Sequence, residues 1–217
     1  MTTCDVLGGV TGDTGTNGSA DLGQIFRVRA QAAAGGGAAN GWSSLAPIGT
    51  QGAVFAASTV GYTGINVSFD WYATNQGEAK LQLEYTNDGV TWNNVPITIP
   101  AAETQISALT NLVPGNTVVG SYVLGSPAGQ GQNWFPGLSA VINDPAAANN
   151  PSFAIEMVNA ATGADNTSVK GTALNNNSGN WRFDNVTISG TVVPEPSTLV
   201  LSACAVVALI CLRRRKR

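Results

Sequence analysis

The sequence predicts an all-β fold, an antiparallel β-sandwich, on three observations. Apolar and polar residues alternate with period two over several short segments, the signature of strands buried on one face. Turn-forming Gly, Asn and Asp separate those segments. Charged residues make up only 11% of the chain, while 26 Gly and 20 Asn carry much of its polarity, a composition suited to strands and turns rather than long helices. With 217 residues, 43% of them hydrophobic, the chain can bury a sizeable core.

Taken in order, residues 1–24 are rich in Gly, Thr and Asp without periodicity and read as a poorly ordered segment. The sandwich is expected over 25–192. Ile25 to Ala30 predicts a short strand, and the Ala/Gly stretch from Ala32 to Asn40 a loop. Ala53–Thr59 predicts the next strand. Ile65 to Trp71 is the clearest one, with apolar odd and polar even positions. Leu81 to Tyr85 repeats the alternation, and Asn75-Gln76-Gly77 supplies turn chemistry between the two. Asn87-Asp88-Gly89 predicts a hairpin leading to a strand carrying Val95, Ile97 and Ile99. A two-residue turn there puts Trp92 on the core face and needs a bulge near Asn93-Asn94. A three-residue turn puts Val95 in phase and leaves Trp92 outside. The first arrangement is the expected one. Thr86 to Trp92 also resembles a shortened Asp-box hairpin, in a single copy. Thr117–Leu124 and Phe153–Val158 predict further strands. The last runs from Trp181 to Ile188, and its apolar phase slips between Phe183 and Val186, which marks a bulge at Asp184-Asn185.

The chain has no His, which excludes a Ser-His-Asp triad, a His-ligated zinc and a His general base. Cys4 is the only Cys before residue 193, so residues 1–192 cannot hold an internal disulfide. Those residues carry twelve Asp and Glu against five Lys and Arg, a net −7, which disfavours nucleic acid as a partner. Residues 193–217 carry a net +4.

Candidate chemistry is sparse. A hairpin centred on Gly77 would set Asp70 opposite Glu84, which reads as two surface acids, a cation site or a glycosidase carboxylate pair. Asp184 at the bulge either bonds neighbouring backbone N–H groups or contributes to a structural Ca²⁺ site. Trp42, Tyr62 and Trp134 sit among Gly and Asn, a setting that suits stacking on a sugar; such aromatics equally plug the open ends of sandwiches.

The C-terminal tail is the most specific feature. Pro194-Glu195-Pro196 ends any preceding strand. An uncharged apolar stretch, 198–212, predicts a short hydrophobic helix of roughly 22 Å at about 1.5 Å per residue, marginal against a hydrocarbon core of about 30 Å. Arg213, Arg214, Arg215, Lys216 and Arg217 then form a cationic stop that belongs on the cytoplasmic side, leaving residues 1–192 outside the cytoplasm. This three-part pattern resembles the PEP-CTERM sorting signal. The resemblance implies export in a Gram-negative bacterium, transient anchoring in the inner membrane, and recognition of Pro194, Glu195 and Pro196 by an exosortase that cleaves nearby. It further implies display at the cell surface or in an exopolysaccharide or biofilm matrix. Export of this kind needs a signal peptide; Met1 to Val6 has neither a basic nor an apolar region, so the natural N-terminus is expected to lie upstream.

The ending Trp181-Arg182-Phe183-Asp184-Asn185-Val186-Thr187-Ile188-Ser189-Gly190 resembles the closing strand of jelly-roll, galactose-binding-like modules. Three functional expectations result. The first is a non-catalytic surface or matrix protein, the second a carbohydrate-binding module, and the third a carboxylate-based glycoside hydrolase or lyase.

Overall fold

The computed structural model describes residues 3–7, 11–16, 24–29, 41–74, 76–99, 117–119, 133–169, 171–174 and 179–193. Among them are eleven strands: β1 (Thr3–Leu7), β2 (Thr11–Thr16), β3 (Gln24–Arg29), β4 (Gly52–Ala56), β5 (Tyr62–Ala73), β6 (Lys80–Thr86), β7 (Asn93–Val95), β8 (Thr117–Val119), β9 (Asn133–Ile142), β10 (Ala154–Asn159) and β11 (Asn180–Val192). One antiparallel sheet has the order β1-β4-β10-β6-β7, with β8 also paired to β6; the other has the order β2-β3-β11-β5-β9. The expected all-β sandwich is therefore present. The chain changes sheet at each step from β3 to β6 and again from β8 to β11, so β4-β10-β6-β7 faces β3-β11-β5-β9 in the interleaving of a jelly roll.

The alternation of β5 explains the layering. Ile65, Val67, Phe69, Trp71 and Ala73 are buried toward the opposite sheet, alongside Trp181 and Phe183 of β11. From the other sheet come Phe55, Leu81, Leu83, Ile155 and Met157. Aromatic rings link the layers: Trp181 lies 4.5 Å from Trp42 and 5.7 Å edge-on from Trp71, which stacks at 5.1 Å on Phe135. Phe183 meets Phe55 edge-on at 5.9 Å. Each such side chain stabilises the fold by about 1.5–3 kcal/mol through burial, and edge-to-face pairing adds to that.

Several expectations need correction. Residues 1–24 contain β1 and β2; both are edge strands whose backbones pair with β4 and β3 without needing apolar alternation. The β5–β6 connection is not a hairpin, because the two strands lie in different sheets. Asp70 is paired with Asp184, and Glu84 with Glu156 and Asn94, so Asp70 and Glu84 do not face each other. After Tyr85 the register sets Asn93 opposite Tyr85 and Val95 opposite Leu83. Val95 is therefore in phase without a bulge, and Trp92 lies half-buried in the loop outside the ladder. That loop is held by Asp88, whose Oδ1 accepts from Val90 N at 2.8 Å and Thr91 N at 2.7 Å. The strand expected through Ile99 stops at Val95; Pro96 follows, and Thr98 bridges to Ser139 of the other sheet. Strand β9 had no clean alternation to reveal it, because Pro136-Gly137 interrupts its phase. Beyond Val119, the rest of the strand expected to Leu124 lies outside the described residues, as do the loop 32–40 and the C-terminal helix 198–212. Among the described residues no helix is long and apolar enough to cross a membrane.

Candidate functional site

Three places bring polar or exposed groups together. The first is the outer face of the sheet containing β5, where two bulges flank the same residue. The β5–β9 register slips between Phe69 and Trp71, and the β5–β11 register slips between Asp184 and Thr187. Each slip holds a residue with positive φ, Gly137 (67°) on β9 and Asn185 (51°) on β11. The expected bulge after Phe183 is thus present. Asp70 ties both together: Oδ1 accepts from Gly137 N at 2.6 Å, and Oδ2 accepts from Asn185 Nδ2 at 2.7 Å. Asp184 Oδ1 accepts from Asn185 N at 2.8 Å. Both Asp70 oxygens are committed to N–H donors, and no group of three His, Cys, Asp or Glu among the described residues is placed to hold a metal. Asp184 thus bonds a neighbouring backbone N–H, one of its two expected roles.

Two register positions away, Arg182 places its guanidinium carbon 4.7 Å from the ring centroid of Tyr72. Tyr72 is buried although it points away from the core; burial pushes its phenol pKa up, and Arg182 partly opposes that.

The second place is the outer face of the other sheet. Glu156 and Glu84 are direct cross-strand partners, and both are buried, at 2% and 8% exposure. Gln82 Nε2 donates to Glu84 Oε1 at 2.6 Å. Gly49, at φ 79°, passes over the pair so closely that a Cβ there would sit 3.7 Å from Glu84 Oε2. Burial first, and the neighbouring Glu84 carboxyl second, push the Glu156 pKa up to about 8. The pair therefore holds a proton at neutral pH. Chemically it is a shared-proton clasp between two strands. Sequence reasoning missed it, having set Glu84 against Asp70, because the neighbour of β6 is β10, some 70 residues away along the chain.

A further buried acid lies near the start of β11. Glu78 is fully buried, and its pKa is pushed up to about 8 by burial, opposed by N–H donors from Lys80 and Ala79. Its backbone carbonyl accepts from Trp181 Nε1 at 2.7 Å.

The third place is the end of β11. Val192 pairs with Tyr62, and Val193 N donates to Gly61 O at 2.8 Å. The next residue is Pro194. Tyr62 is 43% exposed and lines a shallow cavity of 310 Å³ with Ser58, Thr59, Ile65 and Ser189. Of the three aromatics considered for sugar stacking, Tyr62 is exposed; the side chain of Trp134 lies outside those described. Trp42 is fully buried against Trp181 and belongs to the core, the plugging role of its two readings rather than the sugar-stacking one. Its loop is locked by Gln51, which accepts from Ser43 N at 2.8 Å and donates to Gly41 O at 2.6 Å. Trp134 is the register partner of Tyr72 on β9. Pro194, Glu195, Pro196 and the cations Arg213 to Arg217 lie outside the described residues.

Comparison with known proteins bears on that third place. Residues 192–216 match the family described as the PEP-CTERM protein-sorting motif. The C-terminal segment is thus a PEP-CTERM sorting signal, which marks the chain for export and exosortase handling. No curated protein matches the chain in sequence. A crystal structure of a proposed sugar binding protein from Bacteroides thetaiotaomicron VPI-5482 overlaps 87% of this chain and 88% of its own, at 11% identity and a TM-score of 0.42. At that score the likeness assigns neither topology nor ligand here.

Proposed function

We propose that this chain is an exported, non-catalytic display protein. An exosortase separates it from its C-terminal anchor, and the sandwich then serves at the cell surface or in an exopolysaccharide matrix. One observation carries the reading: the sorting motif begins at residue 192, inside the last strand of the sandwich, so the globule and its delivery signal are one continuous piece. A carboxylate hydrolase is disfavoured because Asp70 is spent on two bulges and the Glu84–Glu156 pair is buried beneath Gly49. A saccharide-binding module is the second reading, supported by Tyr62 beside the hydroxyls of Ser58, Thr59 and Ser189, and weakened by the burial of Trp42.

The test is fractionation of an exosortase-bearing Gram-negative host expressing the chain behind a signal peptide. Deleting residues 193–217 should move the protein from the cell envelope to the medium. Retention of the deleted form in the envelope would overturn the reading. Tyr62-dependent binding on a glycan array would favour the second one.

A further inference from the structure

We propose that the end of the sandwich from which the sorting segment departs is a membrane-contact surface, with Val60, Tyr62, Val192 and Val193 resting at the headgroup–acyl boundary of the bilayer while the chain is tethered. This rests on the reading that the tail anchors the chain before it is cut.

The first argument is where exposed apolar surface lies. Among the described residues eight large hydrophobics are exposed, and four of them gather here: Val60 (53%), Tyr62 (43%), Val192 (63%) and Val193 (40%). Scattered exposed Val residues need no explanation, whereas a contiguous set at one end does. They adjoin because Val192 pairs with Tyr62 and Val193 N bonds to Gly61 O, between Val60 and Tyr62 in the chain.

The second argument is the length of chain that follows. Five residues, 194–198, separate Val193 from Leu199, where the uninterrupted apolar stretch begins. At full extension, about 3.5 Å per residue, that link reaches roughly 20 Å. The globule is thus held within about one headgroup layer's thickness, plus a short reach, of the bilayer. Such a tether raises the effective concentration of surface at the patch, so weak apolar contacts suffice.

The third argument is charge. Residues 57–66 and 186–193 contain no Asp, Glu, Lys or Arg, so approach to the bilayer strips water from no ion. Glu195 lies two residues past Val193 in the link rather than in the patch, and Asp144, which lines an adjacent 330 Å³ depression with Thr63 and Asn66, is already held by Tyr85 Oη, Asn87 Nδ2 and Ala146 N. A Tyr beside Val residues is the side-chain mixture that settles at membrane interfaces. The patch is preformed: Asn149 accepts from Gly61 N through Oδ1 and donates its own N–H to Tyr62 O, and Thr59 Oγ1 donates to Ala147 O at 2.6 Å.

The test uses the full chain with Cys4, Cys204 and Cys211 changed to Ser and a single labelled Cys. Ser58→Cys reports beside the patch, and Asp165→Cys reports from the opposite end, next to the Trp42 loop. The protein is reconstituted into phosphatidylethanolamine–phosphatidylglycerol vesicles carrying lipids brominated near the headgroup. The label at 58 should be quenched several-fold more than that at 165, and the difference should survive high salt because no charge drives it. Adding Tyr62→Ser and Val192→Ser should bring position 58 down to the control while the protein still floats with the vesicles. Protein that fails to float refutes the anchoring reading itself. Protein that floats with equal quenching at 58 and 165 refutes the contact surface, as does cross-linking between copies at 58, which would make a second copy the occupant.

Discussion

The two halves of β11 follow different rules. From Asn180 to Phe183 the strand alternates between partial and full burial, and Trp181 and Phe183 anchor an aromatic stack that spans both sheets. From Val186 to Val192 every residue is exposed or only partly buried. The bulge at Asn185 separates them, and Asp70 reaches from the neighbouring strand to hold it. One half is therefore a foundation, and the other leads the chain out of the globule toward the sorting signal. A single strand can do both because a bulge resets which side chains face inward.

That contrast is tested most severely in the foundation. Trp181→Ala removes the ring that touches Trp42, Trp71 and Phe183 and the N–H that Glu78 O accepts. It should cost about 3–5 kcal/mol in urea unfolding, enough to threaten folding.

The next effect is pH-dependent. Glu156 has a folded-state pKa of about 8, above its ordinary value near 4.5, so the native form keeps a proton that the unfolded chain releases. Stability should therefore fall as pH rises from about 4.5 to about 8 and level off above. Glu78, also raised to about 8 by burial, adds a slope of the same sign, so Glu156→Gln should remove only the share of Glu156, stabilising the protein by on the order of 2 kcal/mol at pH 8 and by nothing measurable at about pH 4. Thermal unfolding across that range reads both, and an unchanged slope would mean the Glu84–Glu156 clasp carries no shared proton.

Asp70→Ala should cost about 1–2 kcal/mol, because it strands the Gly137 and Asn185 donors at a partly exposed site. Hydrogen exchange should accelerate at both bulges together; faster exchange at only one would show that they are held independently. Smallest of all, Tyr62→Ser with Val192→Ser should change stability by no more than about 0.5 kcal/mol, since Val192 lies in the exposed half and Tyr62 is its exposed partner on β5.

Much of this contrast was legible in the sequence. The period-two patterns at Ile65–Trp71 and Leu81–Tyr85 identified strands because one face of each supplies apolar side chains to the core, and the phase slip after Phe183 gave the bulge. The Pro-Glu-Pro, apolar and cationic run identified the tail. What escaped was long-range. Asp70 and Glu84 each found partners in β11 and β10, and neither choice leaves a trace in local periodicity. Trp42 looked like a loop aromatic because its neighbours are Gly and Asn, yet Gln51 folds that loop inward over Trp181. Strand β9 hid behind Pro136-Gly137, where its bulge breaks the alternation that would have announced it.

The central claim is that the sandwich is a passenger whose sorting signal is removed. It is tested most directly by the intact mass of the chain recovered from the surface of an exosortase-bearing host. The account predicts a C-terminus near Pro194–Pro196, with the apolar stretch and the Arg cluster gone. A surface form still ending at Arg217 would contradict it.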